Sequence, residues 1–381
     1  KILNISICLI PLAFIIGNFA INILSLSILL FGLFQYWKEI IYLNNFTHIR
    51  LLLAFFLLVF FNTIVESFFN YNQESLLRSF LFFRYFFIIL IIFSMMNKAH
   101  LNLKLFLISS FTFSFLVSLN IIFQYIDLNF IKFINYETPH ISGIFNDEKI
   151  AGSYIQKFFL ISCFIILITL KKNKSAINNY LIFLFMFLIP LTAILISGNR
   201  MPFLSSILFV SLGIFVFKEL RKEFISIFLL ISIIFITVIK FDKRLSHHYQ
   251  SFYENIFALV PNITLEMGKE HPDLEKTDIT FTNNYYNEIT IKREDYEVYS
   301  FGTCHAKLYT TAIDIWNDKI LLGNGIKSFR IKCKEKEYLP NRSCGNHPHN
   351  YHLEILVDTG LIGYFVLLLA FINIVIKELK T

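Results

Sequence analysis

The sequence predicts an all-α polytopic membrane protein of about ten transmembrane helices, with one large mixed outer loop domain before the last helix. Three observations carry this. The composition is apolar, with 56% hydrophobic residues, 46 Phe, a mean hydropathy of +0.61 and only 16% charged residues, where a soluble domain is about a quarter charged. Apolar runs recur at the length of roughly 17–25 residues that crosses a bilayer as a helix. Lys and Arg gather in alternate short loops, 37–50, 97–104, 171–178 and 218–223, and in the tail 377–380, the excess that cytoplasmic loops carry. The last pattern also accounts for the net charge of +7. The charge serves membrane topology, and a nucleic-acid partner is excluded.

In chain order the spans are 3–16, 20–36, 50–67, 78–96, 103–123, 155–170, 178–196, 201–217, 223–240 and 353–376. The first two meet at Gly17-Asn18, a tight outer turn. The first run lacks a small-residue cleavage site and a second span follows at once, so it reads as a helix and not as a signal peptide. Two outer segments are longer than turns, 124–154 and 241–352. The second has the size of a small domain. It contains a loosely alternating, strand-like stretch (279–291), a stretch with helical spacing of apolar residues (305–318) and a turn at Leu322-Gly323-Asn324-Gly325. The expected organisation is a transmembrane helical domain of about nine spans (1–240), a large outer loop (241–352), and a last span with a cytoplasmic tail (353–381).

The cysteines follow this division. Cys8 and Cys163 lie in apolar spans, and Cys304, Cys333 and Cys344 lie in the long outer segment, where an oxidising compartment preserves disulfides. A Cys333–Cys344 bridge is expected, closing a short loop worth about 2–3 kcal/mol, with Cys304 left over.

Polar groups at or inside spans are costly and therefore informative. Arg200, in SGNR (197–200), stands in a short outer turn between two spans. Its guanidinium can fork toward two oxygens of a phosphate or carboxylate; the alternative is snorkelling to headgroups. In GIFNDEKIAGSY (143–154), Asn146, Asp147, Glu148 and Lys149 precede a span, as acidic residues do at a helix N-terminus. Ala151, Gly152 and Ser153 follow and allow close backbone approach. Arg84 lies inside the fourth span, with Glu66 or an anionic ligand as its partner; unpaired, it costs about 2.5–3.5 kcal/mol or more. Finally, HPHNYHLEILVDTGLIG (347–363) crowds His347, His349 and His352 at the start of an apolar run. A base that accepts a proton near neutral pH is the first reading, interfacial residues without chemistry the second, and metal ligands the third. All four groups lie on the outer side, and no Gly-rich phosphate loop of the nucleotide type accompanies them. This pattern suits chemistry on a lipid-linked anionic substrate without ATP.

His349-Asn350, nine residues, Gly360, two residues and Gly363 resemble the signature of bacterial O-antigen ligases and O-antigen polymerases. These are polytopic enzymes with a long periplasmic loop just before a late helix, and the resemblance extends over nearly the whole chain. The family usually carries about twelve spans, against about ten here. Arg200 resembles the family's arginine in a short periplasmic turn. Arg330 is similar to a second functional arginine of the large loop, and Arg293 competes for that role. The resemblance implies transfer of a glycan from undecaprenyl diphosphate to an acceptor hydroxyl, that of the lipid A core for a ligase or another glycan for a polymerase, at the periplasmic face of the bacterial inner membrane. It implies His349 as catalytic base, and Arg200 and Arg330, or Arg293 in place of Arg330, as substrate-binding groups; Arg84 remains a candidate only from its charge inside a span. Asn350 would orient the imidazole or cap the helix, and Gly360 and Gly363 would let the last span pack closely on a neighbour. The donor is already activated, so no metal or other cofactor is required. A transporter of the same lipid is the contrasting reading; it would carry substrate groups near the midplane and internal pseudo-symmetry, and no repeat is present.

Overall fold

The computed structural model describes residues 1–43, 46–70, 73–127, 140–146, 148–172, 176–258, 279–283, 286–291, 304–336 and 342–380. The fold is helical. In order the helices are α1 (Ile2–Cys8), α2 (Ile10–Ile16), α3 (Asn18–Leu43), α4 (Thr47–Asn70), α5 (Gln73–Asn97), α6 (Leu103–Ile126), α7 (Ala151–Lys172), α8 (Ala176–Ile196), α9 (Arg200–Val216), α10 (Arg221–Phe241), α11 (Lys243–Ala258), α12 (Cys304–Asp318), α13 (Phe329–Lys336) and α14 (Tyr351–Lys380). Between α11 and α12 an antiparallel hairpin pairs β1 (Ile279–Asn283) with β2 (Tyr286–Ile291), Phe281 opposite Ile289.

Among the described residues, six helices are long and apolar enough to cross a membrane: α3, α4, α5, α6, α10 and α14. Two shorter apolar helices cover 180–196 and 200–216. The expected run 3–16 is not one helix. It breaks at Leu9 into two seven-residue pieces, with Pro11 in the first turn of the second, where its missing N–H costs no helical bond.

Chain contacts divide the protein into two compact units, one of residues 1–36 with 91–256 and one of 37–90 with 257–381. The segment after α10 is thus shared: α11 belongs almost wholly to the first unit, and α12 to α14 to the second.

The first unit is centred on α6, α7, α8 and α10. Phe159, Phe183, Phe187 and Phe224 are fully buried there, with ring centroids 4.5 Å apart for Phe183–Phe187 and 5.1 Å for Phe159–Phe187. Helix association in lipid depends on fit, and small residues supply it. On α6, Ser110, Ser114 and Ser118 form a buried stripe one turn apart, and Gly213 of α9 leaves the space that the Phe224 ring fills.

In the second unit α14 packs along α4, and α12 packs on α13 and α14. Leu308, Ala312 and Ile315 of α12, Phe329 and Cys333 of α13 and Val357 of α14 make its small core. Cys333 is joined to Cys344 by a disulfide, Cα atoms 5.0 Å apart.

α14 is not a straight rod. Gly360 has φ 62° and ψ −169°, a conformation open essentially to glycine alone. The break folds the preceding turns back far enough to bring His352 Nδ1 within 3.1 Å of the Tyr364 hydroxyl; in a straight helix residues so spaced stand about 18 Å apart. The bonds that a helix would make across the break are exchanged with residues 320–325. The freed carbonyls of Val357 and Asp358 accept from Asn324 N (2.8 Å) and Gly325 N (2.9 Å). The freed amides of Leu361 and Ile362 donate to the carbonyls of Ile320 (2.9 Å) and Leu321 (3.2 Å). Gly360 makes a close approach, but to residues 321–322. It serves a break, and a Cβ on it would fall on the Leu321 carbonyl group. A Cβ on Gly363 would first meet the Thr359 side chain of its own helix.

Candidate functional site

In the first unit the SGNR turn joins α8 to α9. Gly198 takes a positive φ of 74°. Asn199 ties the turn to the start of α7: its Oδ1 accepts from Gly152 N (2.8 Å) and its Nδ2 donates to the Lys149 carbonyl (2.9 Å). Gly152 is needed for this approach, since a Cβ there would stand 2.5 Å from Ser197 Oγ. Ser197 O also accepts from Ile141 N at 3.3 Å. Arg200 is then the first residue of α9, half-buried, with Nη1 donating to the His248 carbonyl at 3.3 Å.

Two histidines that the sequence reading passed over complete this corner. α11 begins where Asp242 Oδ1 accepts from Arg244 N and Leu245 N, an N-cap. One turn and a half later it lays His248 against the turn. His248 Nε2 lies 2.9 Å from the Gly198 carbonyl. A carbonyl can only accept, so the proton sits on Nε2. The His140 ring meets His248 edge-on, centroids 4.9 Å apart, and its Nδ1 is buried without a hydrogen-bond partner among the described residues. Burial, then the nearby Arg200 guanidinium, pushes His248 down to about 4; burial and Lys149 push His140 down as well. The corner therefore combines the cations Arg200 and Lys149 with two neutral imidazoles, an environment suited to an anion.

In the second unit the histidine-rich stretch leads into α14. Asn350 caps the helix, its Oδ1 accepting from His352 N (2.9 Å) and Leu353 N (3.2 Å); of its two expected roles, the geometry supplies this one. His349 is exposed and has φ 55°. Its amide donates to His347 Nδ1 (3.2 Å), and the two rings are 4.2 Å apart. The histidines stand before the folded-back portion of α14 rather than directly at the mouth of its membrane-crossing part. Among the described residues no three His, Cys, Asp or Glu side chains are grouped as metal ligands.

α13 is held by a residue of α14. Asp358 accepts from Lys327 N (2.9 Å), Ser328 N (3.2 Å) and Ser328 Oγ (3.0 Å), so a buried carboxylate caps the helix that carries Arg330. Arg330 is half-buried, and its Nε has no hydrogen-bond partner among the described residues.

Arg84 does not pair with Glu66. Glu66 binds Lys319 and, at 3.4 Å, Lys332, because 319–332 folds over the end of α4. Arg84 instead donates to the Tyr85 hydroxyl at 2.9 Å and lies over its ring at 4.8 Å. Arg293 and Asp147 lie outside the described residues, as does the side chain of Cys304.

Residues 184–368 match the family model described as Wzy_C, O-antigen ligase. The chain carries an O-antigen ligase domain. That domain takes in α9, α10, α11, α12 and α13 whole and α14 through its break. It thus contains the SGNR turn with His248, Arg330, Asp358 and the HN-x9-G-xx-G stretch, whereas Arg84, Glu66 and His140 precede it. No curated protein and no solved structure matches the chain. The O-antigen ligase domain and the apolar helices make this a multi-pass membrane protein of glycan transfer.

Proposed function

We propose that this protein moves a glycan from undecaprenyl diphosphate to a hydroxyl of the lipid A core, at the periplasmic face of the bacterial inner membrane. The observation that carries the reading is the O-antigen ligase match over the segment holding Arg200, Arg330 and His349. In the reaction the acceptor oxygen bonds to the anomeric carbon as the carbon–oxygen bond to phosphate breaks. His349 takes the acceptor proton, and undecaprenyl diphosphate leaves. Arg200, with Arg330 in support, stabilises the charge that develops on the diphosphate. Arg84, whose Nε is buried without a partner among the described residues, is a lesser candidate for an anionic group, and Arg293 another. The Lys/Arg bias of the loops supports the orientation, and α1–α2, α7, α8 and α9 are proposed to complete about ten crossings.

The test is reconstituted transfer with lipid-linked glycan and acceptor. His349→Ala is expected to lose about 10²–10⁴-fold in rate, the usual worth of a positioned base, with donor binding intact. Full activity of that variant, or loss of activity in EDTA with recovery on adding zinc, refutes the mechanism. The runner-up is O-antigen polymerase, which uses the same donor chemistry; extension of a second lipid-linked glycan in place of the lipid A core distinguishes it.

A further inference from the structure

Residues 319–326 belong to the segment expected to lie in water outside the bilayer, yet the structure attaches them deep along two spans. Lys377 marks one end of α14, with its ammonium 4.4 Å from the ring of Phe46, which stands just before α4 begins. From this common end, depth can be read on both helices. Leu361 to Lys377 and Thr47 to Thr63 are helical runs of about 24 Å each, at 1.5 Å per residue. The hydrocarbon layer is about 30 Å thick, and tilt only shortens the height. Residues 320–326 bond at these positions: Ile320 and Leu321 to α14 just after its break, Leu322 O to Asn62 Nδ2, and Ile326 N to Thr63 Oγ1 at 3.0 Å.

Irregular backbone at membrane depth is tolerated only where protein satisfies its polar groups. Seven of the loop's backbone groups meet that condition. The amides of Gly323, Asn324, Gly325 and Ile326 and the carbonyls of Ile320, Leu321 and Leu322 all have partners on α4, α14 or the loop itself. The side chains do the opposite. Ile320, Leu321 and Leu322 are 44%, 60% and 52% exposed, three consecutive large aliphatic groups uncovered beside the exposed Phe61, Val65 and Phe68 of α4. Backbone carbonyls bonded to the spans beneath uncovered aliphatic side chains are the pattern of a lipid-facing surface, and here it is continuous with that of a span. The charged pair Glu66–Lys319 sits at the edge of the patch, about 29 Å from Thr47 along α4, where a headgroup layer begins.

We propose that residues 319–326 form a re-entrant loop that dips into the outermost part of the hydrocarbon layer and presents Ile320, Leu321 and Leu322 to phospholipid acyl chains. The loop thereby fixes the depth of α13 and of Arg330, which follow it directly in the chain.

The experiment uses the unaltered full chain in nanodiscs. A phosphatidylcholine carrying a photoactivated carbene precursor on the upper part of one acyl chain is incorporated and irradiated. Trypsin cuts after Lys319 and Lys327, releasing ILLGNGIK (320–327) as one peptide. Lipid adducts on that peptide, at Ile320 to Leu322, are expected alongside adducts on Phe61 and Val65 of α4, and hydroxyl-radical footprinting from the water phase should leave 320–322 unmodified while oxidising the exposed faces of α13. Adducts on α4 with none on 320–327, or strong hydroxyl-radical oxidation of Leu321 and Leu322, overturns the proposal.

Discussion

Gly360→Ala tests the break in α14. The substitution places a Cβ where φ is 62°, a strain of about 1–3 kcal/mol, and drives it onto the carbonyl of Leu321. That carbonyl accepts from Ile362 N, and the neighbouring Ile320 carbonyl accepts from Leu361 N, so the clash cannot be relieved without lengthening both bonds. At about 0.5–1.5 kcal/mol each they add about 1–3 kcal/mol. The expected destabilisation is about 2–6 kcal/mol, a large share of a folding free energy of about 5–15 kcal/mol. Gly363→Ala is the control. Its new Cβ meets the Cβ and Oγ1 of Thr359 on the same helix, a clash that offsets the about 1 kcal/mol Ala gains in helix propensity, but it touches no bond to residues 320–325. Reversible unfolding in mixed micelles reads the difference, and hydrogen exchange of the 320–327 peptide should accelerate in Gly360→Ala alone. Equal exchange of the 320–327 peptide in the two variants would refute the trade of bonds described for this break.

Three further outcomes are expected. Arg200→Lys should weaken binding of the lipid diphosphate about 10–100-fold, because a bidentate charge-assisted contact is worth roughly 1.5–3 kcal/mol; unchanged donor titration sinks the assignment. His248 titrates at about 4 when folded because burial opposes its charge. The unfolded chain therefore binds the extra proton first, and stability is complete above about pH 6.5 and falls as pH drops toward 4. His248→Gln should flatten that part of the melting-temperature profile, and an unaltered profile contradicts the buried neutral imidazole. Cys333→Ser should cost about 3 kcal/mol for a loop of separation 11, and non-reducing peptide mapping of the parent should yield Cys333 joined to Cys344.

Six of the expected spans were legible because an apolar run of bilayer length has few alternatives, and the SGNR turn because a charged residue between two such runs has nowhere else to be. What escaped the sequence depends on distant pieces meeting. The pairing of Glu66 with Lys319 and Lys332 requires 319–332 to fold over α4, and the nearer Arg84 gave the more obvious partner. His140 and His248 carry no motif spacing; α11 and the stretch before α7 bring them to the same turn. The Gly360 and Gly363 spacing is that of a small-residue helix face, and only a backbone angle reveals that the first is a break and the second an ordinary helical position. Asp358 was legible in principle, as a carboxylate inside an apolar run, but its role as a cap for α13 lies in residues far earlier in the chain.

The traded bonds at Gly360 have a consequence for biogenesis. When α14 leaves the translocation machinery, its two loose carbonyls and two loose amides cannot be left bare in lipid. Their partners lie in 320–325, a segment synthesised earlier and held on the other side of the disulfide-closed stretch. The helix therefore cannot mature on its own. Its completion waits for the earlier segment to return to the membrane and seat against it. Insertion of the final span and maturation of the preceding soluble-looking segment become one event, and a chain stalled before that event offers four backbone groups for quality control to detect.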